Sequence, residues 1–271
     1  MIYKLKVKFL KTLWGNSLWR KWKVLRKKHV GSYDRLPEFI KNYVFPNAGF
    51  VDIGCMWGVN GEYAFLAEQY GATVVKGVDV FGPTPEFEAK KKERNSSVEF
   101  ILGDITSPDT IKRVGIVDIV FCAGVLYHHP SPFNLLVALR RICKKTLILR
   151  TSAIPEIKGL PNAAVFYPML KPGDRELWNL KNLGLLKQEG ITDNFNPKQG
   201  YGNWFWGLTP SCLTSLLETA GFEIEYRFDE PFAQTFICKP ITVTFEHNLP
   251  NEDEARAMAN AISTAGVARP A

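Results

Sequence analysis

The chain has 271 residues, 46% of them hydrophobic, and a formal net charge of +7. That length accommodates one large domain with an appendage, and the apolar fraction excludes a disordered chain. No uninterrupted apolar run approaches the roughly 18 residues that a spanning helix needs. The opening MIYKLKVKFLKTLW breaks its apolar residues with lysines, unlike a secretory signal, so a cytoplasmic location is expected. Cys55, Cys122, Cys143, Cys212 and Cys238 are odd in number, widely spaced and mostly within apolar runs. Buried thiols are expected, with neither a disulfide framework nor a zinc site.

Charge is concentrated at the start. Ten cations, from Lys4 to Lys28, precede the first acid, Asp34, so the remainder of the chain is net negative. Tyr3, Trp14, Trp19 and Trp22 are interleaved with them. Residues 1–45 read as a basic helical segment, either packed on the main domain or making weak contact with an anionic membrane surface or RNA through residues 1–30.

From Gly49 onward short apolar runs alternate with helical patterns, the form of successive βαβ units in a mainly parallel sheet. Strands are predicted at Phe50–Ile53, Thr73–Val80, Val98–Leu102, Val117–Cys122 and Thr146–Arg150, with helices at about Gly61–Tyr70 and Pro132–Cys143. An insertion at about 151–208 is rich in Pro, Gly, Asn and aromatics, and such long irregular stretches are often functional. A helix follows at Pro210–Ala220, capped by Thr209 and ended by Gly221. Strands at Phe222–Phe228 and about Phe232–Phe245 complete a domain over 46–250, and 251–271 reads as a polar tail.

The segment FVDIGCMWGVNG at Phe50–Gly61 is a strand ending in Asp52, then Gly54 and Gly58, then a helix. Glycines there let the backbone turn and approach a ligand closely, but the spacing is not that of a dinucleotide fingerprint. An acid two residues before the first glycine favours a ligand with a positive group. Asp79 ends the second strand at the position of a ribose-binding acid, and Asp104 ends the third. Three strand ends thus offer carboxylates to one crevice, although each acid alone could serve as a helix cap or turn residue.

VDIGCMWGVNG, VVKGVDV, ILGDI and DIVFCAGVLYHHPSP together resemble class I S-adenosylmethionine-dependent methyltransferases, over roughly Gly49 to Arg150 and more loosely to Phe245. The resemblance implies a doubly wound seven-stranded Rossmann-like α/β fold with the insertion after strand 5. It implies that Asp52, Gly54, Cys55 and Gly58 hold the methionine part of S-adenosylmethionine. Asp79 and Val80 would hold the ribose, Asp104 and Ile105 the adenine, with Cys122, Gly124 and Tyr127 lining the floor and methyl side. Met56 stands where that family usually has glycine. GVLYH-x-x-SP and the aromatic segment Asn203–Leu208 before Pro210-Ser211 resemble the tRNA wobble-uridine carboxymethyltransferase group. His129 replaces that group's arginine, so methyl rather than carboxymethyl transfer is expected.

Methyl transfer needs an acceptor held in line in a dry pocket, and a hydroxyl acceptor must also lose a proton. His128 and His129 are the candidate catalytic bases, His128 ahead of His129, against the alternative that they only pack the loop. Arg150, Tyr167, Asn203, Trp204 and Trp206 are candidate acceptor-binding residues, with Asn162, Trp178 and Tyr201 nearby in type. Glu156, Asp174 and Asp193 follow no metal-ligand spacing, and no metal is expected. The resulting expectation is O-methylation of a small molecule or of a glycan or lipid-linked saccharide, the last at the inner membrane surface. A tRNA-modifying enzyme and a non-catalytic scaffold are the alternatives.

Overall fold

The computed structural model describes residues 35–154, 156–171, 195–230 and 233–242, with residues 253, 256 and 257. Residues 1–34 of the basic segment, most of the 251–271 tail, and Trp178, Asp174 and Asp193 lie outside the described residues.

Alternation of strands and helices begins after α1 (Leu36–Tyr43). It runs β1 (Gly49–Ile53), α2 (Glu62–Gln69), β2 (Val74–Asp79), α3 (Pro85–Glu93), β3 (Glu99–Leu102), α4 (Pro108–Val114), β4 (Val117–Ala123), α5 (Pro132–Ile142) and β5 (Cys143–Ser152). In the insertion, β6 (Ala164–Phe166) and β7 (Trp206–Leu208) form an antiparallel ribbon. Then come α6 (Pro210–Thr219), β8 (Phe222–Asp229) and β9 (Ala233–Pro240). The main sheet has seven strands in the order β3-β2-β1-β4-β5-β9-β8. β1 to β5 are parallel, while β9 runs antiparallel to both β5 and β8. The doubly wound reading holds, with the last expected strand ending at Pro240 rather than near Phe245.

The central strands are mainly apolar because both faces are covered, with a single acid in each of β1 and β4, Asp52 and Asp118. Val120, Cys122, Leu147 and Leu149 join Leu135 and Leu139 of α5 and Leu213 of α6 in one core. Phe50, Ile119, Phe121 and Ile148 face the other way, onto Ala64 and Phe65 of α2 and Ile40 of α1. Helices α3 and α4 have no counterpart in the sequence reading. The segment PEFEAKKKE buries only Phe87 and shows no apolar stripe, yet it starts cleanly because Thr84 Oγ1 accepts from the Phe87 N–H at 3.1 Å and Pro85 opens the first turn. Thr209 caps α6 in the same way, as expected, accepting from Cys212 N–H at 3.3 Å. All five cysteines are free and buried.

Strand order reverses between β1 and β4, so their C-terminal ends open onto a crevice where the connections diverge to opposite faces of the sheet. Register brings the acids there: Ile53 lies opposite Val78 and Cys122, and Asp79 opposite Leu102.

Next to this edge, Arg150 makes a two-pronged ion pair with Glu230, at 2.9 and 3.2 Å, with both side chains under 10% exposed. The expectation that Arg150 reaches an acceptor is corrected here: its charge is already matched inside the sheet. Removing one partner strands the other charge, so Arg150→Ala is expected to cost about 3–5 kcal/mol in urea unfolding. The apolar double replacement Arg150→Met with Glu230→Leu should cost much less.

Candidate cofactor and acceptor site

The loop from β1 to α2 is shaped by backbone rather than side chains. Gly54 sits at φ +81, and a Cβ there would lie 2.3 Å from Cγ2 of Val125, beyond β4. The two loops that flank the crevice can approach this closely only with glycine at 54. Gly58, at φ +72, has nothing within 4 Å of a notional Cβ, so its backbone is open to a ligand. Met56 shows why the usual glycine is dispensable: its side chain is buried in the core, and what it gives the crevice is its N–H, donated to Asp79 Oδ2 at 2.8 Å.

Asp79 also accepts from Phe81 N–H at 2.9 Å, so one carboxylate ties together the loops after β1 and β2. Asp52 is 1% exposed, and its Oδ2 has no hydrogen-bond partner among the described residues. Burial, reinforced by Asp79, pushes the Asp52 carboxyl up to about 8, and burial raises Asp79 as well. Cys55, Ile105 and Cys122 are buried in the cores, and burial raises both thiols. Val80, Phe81, Leu102 and Trp57 leave an apolar rim exposed, with Trp57 at 70% and its ring 5.3 Å from that of Phe81.

Asp104 accepts from both the backbone N–H and the hydroxyl of Thr106, each at 2.8 Å, and from the phenol of Tyr201. Burial opposes its charge, but these donors prevail and hold its carboxyl below the usual range.

Beyond β4, Gly124 donates its N–H to Arg150 O at 3.0 Å, and the chain turns through a 3-10 segment, Leu126–His128. Phe205 donates its N–H to Tyr127 O at 2.9 Å, clasping the insertion to this turn. The Tyr127 and Trp204 rings stand 4.0 Å apart, and His128 lies 4.3 Å from Tyr127. His128 Nδ1 is 2.8 Å from Asn203 O. A carbonyl only accepts, so Nδ1 carries the hydrogen and Nε2 is left as an acceptor. Burial pushes His128 down to about 4 and lowers His129 too, so both imidazoles are neutral at pH 7. Trp206 donates from Nε1 to Pro130 O at 2.9 Å.

A family model described as a methyltransferase domain matches residues 51–149, the stretch holding all three strand-end acids and both histidines. Residues 51–149 match a methyltransferase domain. The chain is 30% identical over 164 residues to a tRNA U34 carboxymethyltransferase of Actinobacillus succinogenes, a match that covers 56% of the chain and 44% of that protein. The chain therefore spans less than half the length of the curated relative. In fold it is similar to the N-terminal domain of EvdMO1 with SAH bound, at a TM-score of 0.51 and 20% identity over 77% of this chain and 79% of that one. A Burkholderia thailandensis 1,6-didemethyltoxoflavin-N1-methyltransferase gives 0.51 at 14% identity over 76% of each chain.

The donor set fits the methyl donor. A buried acid with an orphaned oxygen, a second acid one strand away and a glycine-built turn suit a cationic nucleoside. Of the residues expected to hold the cofactor, Asp52, Gly54, Gly58, Asp79, Val80, Asp104, Gly124 and Tyr127 lie on the loops or strand ends at this edge of the sheet.

The acceptor-side residues divide. Trp204 and Trp206 border the histidine turn. Tyr167 is 1% exposed, with its hydroxyl 2.5 Å from where a Gly207 Cβ would stand, so it packs the ribbon rather than facing an acceptor. Asn203 is a positioning residue: its amide donates to Asn196 O and Gly200 O while its backbone carbonyl holds His128. Glu156 accepts from the N–H and hydroxyl of Ser211 at the start of α6. Among the described residues no group of three or more His, Cys, Asp and Glu is arranged for a metal ion, and no helix is long and apolar enough to cross a membrane. A cavity of about 500 Å³ lies elsewhere, bordered by Ser211, Thr214, Arg227, Asp229 and Gln234, and shares no lining residue with the crevice.

Proposed function

We propose that the chain methylates a hydroxyl of a small molecule or saccharide, with His128 as the general base. The observation that carries this is the orientation of His128, fixed by Asn203 O so that a neutral Nε2 is available as a proton acceptor. S-adenosylmethionine, when bound, supplies an electrophilic methyl group on a sulfonium. Asp52, Gly54 and Gly58 hold its methionine end, Asp79 and Val80 the ribose, and Asp104 with Ile105 the adenine. Tyr127 and Trp204 exclude water beside the reacting atoms, which strengthens positioning and prevents competing hydrolysis. During transfer to an acceptor hydroxyl, His128 Nε2 would take up the proton that the hydroxyl gives up.

The likeness to a tRNA U34 carboxymethyltransferase supports a second reading, a tRNA-modifying transferase whose ten N-terminal cations bind phosphates. Incubation with labelled S-adenosylmethionine and separate pools of small metabolites, lipid-linked saccharides and RNA separates the two. Label in the first or second pool is the expected result. Label confined to RNA, with affinity falling steeply as salt rises, would replace it with the second reading. The lipid-linked case adds that residues 1–30 contact an anionic membrane surface, which vesicle co-sedimentation tests.

A further inference from the structure

Tyr201 belongs to the insertion, 97 residues from Asp104 in the chain, yet its phenol donates to Asp104 Oδ2. Its ring lies 5.4 Å from that of His129 at an interplanar angle of 18°, a stacked pair. Beneath that ring, His129 is 6% exposed, and its Nε2 lacks a hydrogen-bond partner, 3.9 Å from Asp104 Oδ1. The neighbouring Gly202 would place a Cβ 3.9 Å from the Trp57 ring on the rim of the crevice. The turn Pro197–Gly202 therefore reaches from the histidine side across the end of β3 to the loop after β1. It is a built turn: Asn203 holds it from inside, and Gly200 breaks it at φ 50, ψ −123.

The two oxygens of Asp104 are not equivalent. Oδ1 is satisfied by Thr106, two residues away, and so remains satisfied whatever the insertion does. Oδ2 takes its donor from the insertion, and a ligand presenting an N–H donor at this strand end meets Tyr201 there. A buried imidazole nitrogen without a partner costs free energy, which makes the covered arrangement readily exchanged for one in which a ligand or water reaches His129.

We propose that Tyr201 is a gating and specificity residue at the nucleoside end of the crevice, whose phenol is exchanged for the exocyclic amine of an aminopurine on Asp104 when the cofactor binds. This rests on the reading of Asp104 as the adenine partner. Tyr201 thereby belongs to the cofactor site, not to the acceptor pocket expected from its sequence context. The closed contact lowers apparent affinity in proportion to the fraction of molecules that are shut. It also makes discrimination sharp, because a 6-oxo purine places a carbonyl, which repels the carboxylate, where the amine stood, and its one donor on that edge, N1–H, lies at a different position.

Isothermal calorimetry on the full chain tests this with S-adenosylhomocysteine and its 6-oxo analogue, S-inosylhomocysteine. Tyr201→Phe keeps the ring and its stacking, and a thermal melt shows whether it is folded. It is expected to bind S-adenosylhomocysteine about tenfold more tightly than the native chain, the size of one charge-assisted hydrogen bond released from the closed form. The native chain should bind the 6-oxo analogue at least about tenfold more weakly than S-adenosylhomocysteine. Unchanged or weaker binding by the folded phenylalanine variant overturns the gate while leaving the cofactor reading intact. Failure of both proteins to bind S-adenosylhomocysteine removes the cofactor reading and the gate with it.

Discussion

Replacing Asp79 by alanine is expected to weaken binding of S-adenosylhomocysteine by about 100-fold or more. The carboxylate accepts two backbone N–H groups, from Met56 at 2.8 Å and Phe81 at 2.9 Å, and so sets the width of the crevice between the loops after β1 and β2. A hydrogen bond to a charged group contributes about 1.5–3 kcal/mol, and a buried donor left unpaired costs a similar amount. The variant loses both bonds, strands the Met56 N–H, and removes the lone pairs proposed to meet the ribose hydroxyls. Asp79→Asn retains one acceptor but turns an amide N–H₂ toward one of the two donors, so an intermediate loss is expected. Calorimetry measures the affinity, and circular dichroism shows whether the sheet survives. A folded Asp79→Ala protein with native affinity would remove Asp79 from the site.

The second large effect is expected at His128. His128→Asn should lower the methyl-transfer rate by about 10²–10⁴-fold, the usual contribution of a positioned general base, with cofactor affinity unchanged. Burial puts the native imidazole at about 4. The active form is the neutral one, so the rate should fall only as pH drops toward 4 and should stay level between about 5 and 8 on this group's account. The Asn203 carbonyl that orients the ring is a backbone atom, so no side-chain replacement at 203 deletes it directly. A rate that falls together with cofactor affinity would instead make His128 a packing residue of the loop. An unchanged rate would show that the acceptor loses its proton by another route.

The parts of this molecule that could be read from sequence are those whose side chains carry the signal. Phe50–Ile53 and Val117–Cys122 announce themselves because both faces of these strands are buried, giving runs that are apolar apart from one aspartate each. Asp52, Asp79 and Asp104 were legible as strand-end acids, since each follows such a run and precedes a turn. Helix α3 was not, because its single buried residue, Phe87, leaves no periodic stripe. Nor were the three-residue strands of the β6–β7 ribbon, which are shorter than any alternation pattern can mark.

Within the site, the missing information lay in long-range pairings and in the backbone. Tyr201 meeting Asp104 and Glu230 meeting Arg150 join residues 97 and 80 positions apart. Asn203 acts on His128 through a carbonyl that every residue type possesses. Trp57 and Phe81 stand on the exposed rim, and a tryptophan inside a glycine-rich turn is the one sequence signal that marks it. Met56 stands where glycine is usual, and only the fold shows that its side chain turns into the core while its N–H serves Asp79.

The most direct test concerns Asp52. With its carboxyl raised to about 8 in the ligand-free protein, it is mainly protonated at pH 7. A cationic cofactor favours the carboxylate, so binding should expel up to about one proton at that pH, and affinity should rise about tenfold per pH unit until near pH 8 and level off above it. Calorimetric titration with S-adenosylmethionine in two buffers of different ionisation enthalpy, repeated from pH 6 to 9, reads both quantities. Proton release near one equivalent at pH 7 with that pH dependence is the predicted result. No heat of association, or tight binding that is independent of pH and releases no proton, would contradict it.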